Sequence, residues 1–236
     1  MIKAIFFDLD GTLLPADGDE FTKVYFGLLY KRLAVKGYQK DEFINAIWSG
    51  VKDMVKNDGS ATNEEVFWKR FERIYGAKGL EDKEYINEFY TNEFKQTKMV
   101  CQDNPYAREI IETIKDLGLK VALTTQPVFP LDGTLTRMGF VGLKQQDFDY
   151  STSYENSHYA KPNPMYFQEV LDKLNLKPEE VILFGNDKNE DGECALKLGI
   201  KCCLVGDYIL GNSSQNFEHI PLSQIAAKIR EFCAQN

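Results

Sequence analysis

Beyond residue 100 the sequence alternates between helix-period segments and short apolar runs. Asn104-Pro105 opens a helix carrying Ile110, Ile111, Ile114 and Leu117, stopped by Gly118. A strand follows over 120–125, then a helix over 131–138 and a weak strand near 148–151. Pro164 starts another helix, which runs to Leu174. Strands over 180–184 and 200–205 flank a helix through Cys194, Leu196 and Leu198, and a last helix holds Leu222, Ile225, Ala226, Ile229 and Phe232. Parallel strands cannot be joined by tight turns, so this alternation predicts a parallel sheet with helices on both faces.

One strand stands apart from that series. Ile5, Phe6 and Phe7 form an apolar run ending in Asp8-Leu9-Asp10-Gly11-Thr12. Residues 16–97 then carry only helical periodicity. Phe21, Val24, Tyr25, Leu28, Leu29 and Leu33 make a first stripe behind Asp19 as expected cap, closed by Gly37. Phe43, Ile47, Trp48, Val51 and Met54 make a second. Val66, Phe67, Phe71 and Ile74 make a third, capped by Thr62 or Asn63 and broken by Gly76 and Gly79. Tyr85, Ile86, Phe89, Tyr90 and Phe94 make a fourth. Short loops between them suit antiparallel packing. The aromatic residues are expected to be core, with a pocket role the alternative for Trp48 and Trp68. The economical organisation is one Rossmann-like α/β core from residues 1–15 and 98–236, with a helical bundle, 16–97, inserted after the first strand.

Composition narrows the function. The 236 residues are 43% apolar and 27% charged, with a net charge of −8. That charge argues against nucleic acid or an anionic membrane as partner. An anionic substrate must then be drawn in by local positive charge or metal. Two histidines leave little material for a zinc site or a Ser-His-Asp triad, and the five cysteines lack C-x-x-C spacing and suit reduced thiols. Residues 1–8 lack the length and basic start of a signal peptide and no apolar run approaches about 20 residues, so a cytoplasmic protein is expected.

Four strand ends carry polar groups, and ligands of open α/β sheets bind outside such ends. Asp8 and Asp10 sit two apart and would lie together where the first strand stops. Thr124-Thr125-Gln126 closes the second strand; a hydroxyl and loop amides there suit phosphate oxygens. Lys161, in Ala160-Lys-Pro-Asn-Pro164, is fixed before a helix and could act as counter-charge. Asn186, Asp187, Glu190 and Asp191 follow the strand ending at Phe184, and such hard oxygen donors suit Mg²⁺.

In this order the features resemble the haloacid dehalogenase superfamily across essentially the whole chain. Asp8-Leu-Asp-Gly-Thr-Leu looks like its first motif, Thr125 its second, Lys161 its third, Gly185–Asp191 its fourth, and the helical insert its C1 cap. The resemblance implies a Mg²⁺-dependent phosphatase for a small phosphorylated metabolite. Asp8 would be the nucleophile and Asp10 the general acid and base. Thr125, Lys161 and a backbone amide of Gln126 would hold phosphate oxygens. Mg²⁺ would take Asp8, the Asp10 carbonyl and a fourth-motif side chain, with Asp191 close by. Asn186 follows the motif glycine where the family usually has Asp, so Asn186 and Asp187 stand as alternative ligands. Asp10 argues against carbon–halogen cleavage. A sugar phosphomutase, or a non-catalytic phosphate-binding regulator, is the alternative.

Overall fold

The computed structural model describes residues 1–234. In chain order it contains β1 (Ala4–Phe7), α1 (Gly18–Leu33), α2 (Lys40–Val55), α3 (Asn63–Tyr75), α4 (Ala77–Glu81), α5 (Lys83–Thr91), α6 (Ala107–Asp116) and β2 (Lys120–Leu123). There follow α7 (Leu131–Phe140), β3 (Tyr150–Ser151), α8 (Met165–Leu174), β4 (Val181–Gly185), α9 (Cys194–Leu196), β5 (Lys201–Val205), β6 (Glu218–Ile220) and α10 (Ile225–Ala234). The six strands form one parallel sheet in the order β3-β2-β1-β4-β5-β6.

The central position of β1 follows from its composition. All four of its residues are fully buried, as expected of a strand covered on both faces. Ile5 and Phe7 face one layer with Ile110, Ile114, Ile225 and Ile229 of α6 and α10. Ala4 and Phe6 face the other, with Phe167, Val170 and Leu171 of α8. Each of these buried Ile, Phe, Val and Leu side chains contributes about 1.5–3 kcal/mol.

The segment from α1 to the 3₁₀ stretch Glu93–Val100 has its own core, with Phe43, Phe71, Phe89 and Phe94 fully buried. Its two connections to the sheet lie side by side: Ala16 bridges Cys101, and the Gln102 amide donates to the Pro15 carbonyl at 2.8 Å. Asn63 seats the insert on the core. Its side chain is fully buried and donates to the carbonyls of Pro127 (3.2 Å) and Tyr159 (3.1 Å).

Several local expectations are corrected. Asp17, not Asp19, caps α1, accepting from the amides of Asp19 and Glu20 at 3.0 Å each. Thr62 caps α3 in a capping box with Glu65. Gly79 lies inside α4 rather than breaking a helix. The helix expected through Cys194–Leu198 is a π-turn, Lys188–Glu193, running into the three residues of α9. No local pattern predicts β6, because Glu218 and His219 are polar and exposed, as an edge strand permits. Among the described residues no helix is long and apolar enough to cross a membrane.

Candidate active site

The C-terminal ends of β1, β2 and β4 meet at one edge of the sheet. The Asp8 amide continues the ladder to the Phe184 carbonyl (2.9 Å), and that of Thr124 donates to Phe7 (2.6 Å). The chain must then leave β1 sharply. Gly11 supplies the turn at φ +80°, with its amide on the Leu14 carbonyl at 2.8 Å. A Cβ on Gly11 would lie 2.2 Å from Asn186 Nδ2. Gly11→Ala is therefore expected to combine left-handed strain with this clash and to cost about 1–3 kcal/mol. The checks are a melting curve and parallel loss of catalytic rate, since Asn186 must shift.

Asp8 is buried, and its Oδ1 accepts from Lys161 Nζ at 2.8 Å. Lys161 is 2% exposed and donates more closely still, at 2.6 Å, to Asp191 Oδ1. Burial pushes the Asp8 carboxyl up to about 7; the Lys161 ammonium opposes that rise, and Asp191 and Asp10 add to it. Burial alone would lower Lys161, but Asp191 and Asp8 hold it well above its ordinary value. Gln126 sets this lysine: it donates to the Lys161 carbonyl (2.9 Å) and accepts from its amide (3.0 Å). The Gln126 side chain also reaches Glu190 at 3.1 Å, whose carboxyl burial pushes up to about 7.

The acids after β4 divide their work. Asp191 Oδ2 accepts from the amides of Asn186 and Asp187 at 3.0 Å each, and a Cβ on Gly185 would lie 2.4 Å from it. Asp187 turns its Oδ1 to its own loop, accepting from the amides of Asn189 (2.7 Å) and Glu190 (2.9 Å). Asn186 turns toward β1. Thr12 Oγ1 lies 3.3 Å from Asn186 Oδ1 and 3.4 Å from Asp8 Oδ2, so those two oxygens flank one hydroxyl. Thr125 Oγ1 and Asp10 Oδ1 are buried and have no hydrogen-bond partner.

Among the described residues no three His, Cys, Asp or Glu side chains converge as a metal cluster. The oxygens beside Thr12 nevertheless fit Mg²⁺, which keeps several waters and takes one or two carboxylates plus substrate phosphate rather than a full protein cage. Asp8, the Asn186 amide oxygen and the Asp10 carbonyl are the donors available for it.

Arg137 of α7 was missed by sequence reasoning. It is 1% exposed, pairs with Asp10 Oδ2 and stacks 4.4 Å over the Phe129 ring. One arginine on an amphipathic helix gives no local signal of burial. A cavity of about 450 Å³ runs from Asp10, Asn186 and Arg137 into the helical insert.

A parallel α/β sheet whose central strand ends in an acid held by a buried lysine defines the class: an enzyme with its carboxylates at the strand edge. The family model for haloacid dehalogenase-like hydrolases matches residues 5–205, and the chain belongs to that family. A phosphorylated carbohydrates phosphatase from Thermotoga maritima is 26% identical, over 85% of this chain and 83% of its own. The fold is shared with an HAD phosphatase from Thermococcus onnurineus (TM-score 0.60, 20% identity, 97% of this chain and 98% of that one). It is shared equally with a 2-haloacid dehalogenase from Pseudomonas syringae pv. Tomato DC3000 (TM-score 0.62, 17%, 98% and 100%). The chain is a hydrolase of this family. Fold alone does not choose between phosphate and halide chemistry; the site has to.

Proposed function

We propose that the protein is a Mg²⁺-dependent phosphatase that hydrolyses a small phosphomonoester through an aspartyl phosphate on Asp8. The observation that carries this reading is the pairing of buried Asp8 with Lys161, beside a second acid, Asp10, that lines the cavity. An Asp8 carboxylate oxygen attacks phosphorus, and the bond from phosphorus to the alcohol oxygen breaks. Asp10 delivers the proton that the departing alkoxide needs. Asp10 then takes a proton from water, whose oxygen attacks phosphorus and releases inorganic phosphate with Asp8 restored. Lys161 and the unpartnered hydroxyl of Thr125 hold the non-bridging oxygens. Asp8, Asn186 and the Asp10 carbonyl would hold Mg²⁺, which when bound would neutralise charge between nucleophile and phosphate. Asp187 and Asp191 shape the loop that presents Asn186, and Asp191 also orients Lys161.

Residues 16–97 act as a cap over this site, with 15–20 and 97–103 as its hinges; closure excludes water. A mutase would need a second seat for phosphate. Among the described residues Arg137 is the one cation lining the cavity, and it is already bound to Asp10, which favours hydrolysis. The test is release of inorganic phosphate from p-nitrophenyl phosphate. Release is expected to fall to background in EDTA and to return with added Mg²⁺. Full turnover in EDTA would remove the metal from the mechanism.

A further inference from the structure

The cavity that opens from Asp10 has a wall unlike a sugar site. Ten aromatic side chains line it. Phe21, Phe26, Phe67 and Phe129 offer ring faces or edges with no polar atom. Four of the others turn their polar tips on one another, and the Tyr208 hydroxyl accepts from Gln102 at 2.7 Å. Tyr25 and Tyr90 share a hydrogen bond of 3.0 Å, and Trp68 Nε1 donates to the Tyr154 hydroxyl at 3.3 Å. That hydroxyl in turn reaches Asn87 Oδ1 at 3.4 Å.

The charges in the wall are equally selective. Among the described residues Asp10, Asp17, Asp207 and Arg137 are the charged ones lining it, and Arg137 is committed to Asp10. A leaving group that carries its own carboxylate or second phosphate would meet three acids and no uncommitted cation among those residues. A polyhydroxylated one would exchange water mostly for rings, with Thr22, Asn87 and Asn186 as the uncharged non-aromatic polar side chains to meet it, so most of its hydroxyls would go unpaired, which is expensive. An apolar ring would gain instead. It loses nothing by leaving water, and aromatic pairs add about 0.5–1.5 kcal/mol beyond their burial. The volume, about 450 Å³, lies within the range of small-ligand sites.

We propose that the substrate's leaving group is an apolar, ring-bearing alcohol that carries no negative charge, seated among the aromatic side chains of the insert while its phosphate lies at Asp8. This inference rests on the phosphatase reading for the chemistry, but the cavity makes its own prediction about binding. The overall step is R–O–PO₃²⁻ + H₂O giving R–OH and inorganic phosphate, and the product alcohol is what the cavity binds.

Two measurements on the intact Mg²⁺-loaded protein test it. First, kcat/KM is compared for 2-phenylethyl phosphate, glucose 6-phosphate, phosphoglycolate and phosphocholine. These are all esters of unactivated alcohols, so leaving-group reactivity contributes little to the ranking. Since one methylene in an apolar pocket is worth about 10–200-fold, the phenylethyl ester is expected to lead by at least about 100-fold. Any of the three polar esters matching it overturns the inference while leaving the phosphatase reading intact.

Second, 2-phenylethanol is titrated with tryptophan emission as readout. The chain has two tryptophans, Trp48 and Trp68, and both line the cavity. A saturable change in emission is expected. An unchanged spectrum up to the solubility of the alcohol overturns the inference whatever the kinetics show. A saturable change without turnover of any ester would keep the cavity assignment and remove the catalytic one.

Discussion

Asp8→Asn is expected to lower phosphate release by on the order of 10⁴–10⁶-fold, the scale of losing a nucleophile that works with its neighbours as a unit. The protein should nonetheless fold. Asn keeps the shape of the side chain, and Lys161 keeps Asp191 at 2.6 Å. Stability should rise rather than fall, because burial opposes the Asp8 charge and pushes its carboxyl up to about 7. The sign follows from linkage. Between the ordinary carboxylate value of 3.8 and about 7, the native state holds a proton that the unfolded chain has released, so the wild type loses stability as pH rises through that window. The gain in Tm of the Asn variant, measured with chelator present, should therefore be absent near pH 4, grow toward pH 7 and level off above it. Retained activity would remove Asp8 as nucleophile. A variant that melts lower at neutral pH would contradict the account of its burial.

Lys161→Met should have the largest effect on stability. It strips the cation from two buried carboxylates, Asp8 and Asp191. Removing one partner from a buried ion network costs about 3–5 kcal/mol, because the remaining charge is left uncompensated. For a chain of this size that corresponds to a Tm lower by about 6–20 °C. Activity should vanish as well, but loss of fold would explain that trivially. The informative variant is Lys161→Met combined with Asp191→Asn. It removes one of the stranded charges, while the carboxamide oxygen it introduces can still accept from the amides that Asp191 now holds at 3.0 Å. Recovery of about half the lost Tm without recovery of activity separates the two roles of the lysine. A single variant melting within 2 °C of wild type, a margin set by the ~2–4 °C per kcal/mol scale, would show that the network contributes little.

Much of the scaffold was legible because its signals are local. A strand buried on both faces must be apolar at every position, and Ala4–Phe7 and Val181–Phe184 are. Helix stripes with their glycine stops marked most of the remaining elements. The placement of Asp8, Thr125 and Asn186 just past neighbouring strand ends, with Lys161 in the loop between β3 and α8, also follows from order along the chain, since parallel strands share one C-terminal edge. Where local signals were weak, the reading failed. β6 has no apolar run, and the turn after Asp187 winds as a π-turn because Asp187 caps it and Asp191 folds back on the strand end.

Residue types and spacing by themselves determined a parallel α/β core with a helical insert, two acids where the first strand ends, and a lysine and oxygen donors to meet them. Those features depend on short-range periodicity and on chain order. Tertiary structure decided which way each side chain turns. It set Asn186 against Thr12 and Asp8, gave Asp187 to its own loop and Asp191 to Lys161, buried Arg137 against Asp10, and lined one cavity with both tryptophans. Such pairings join residues more than a hundred positions apart in the case of Arg137 and Asp10, |i−j| = 127. Only packing can decide them, because a buried charge takes whatever partner the folded chain brings within reach.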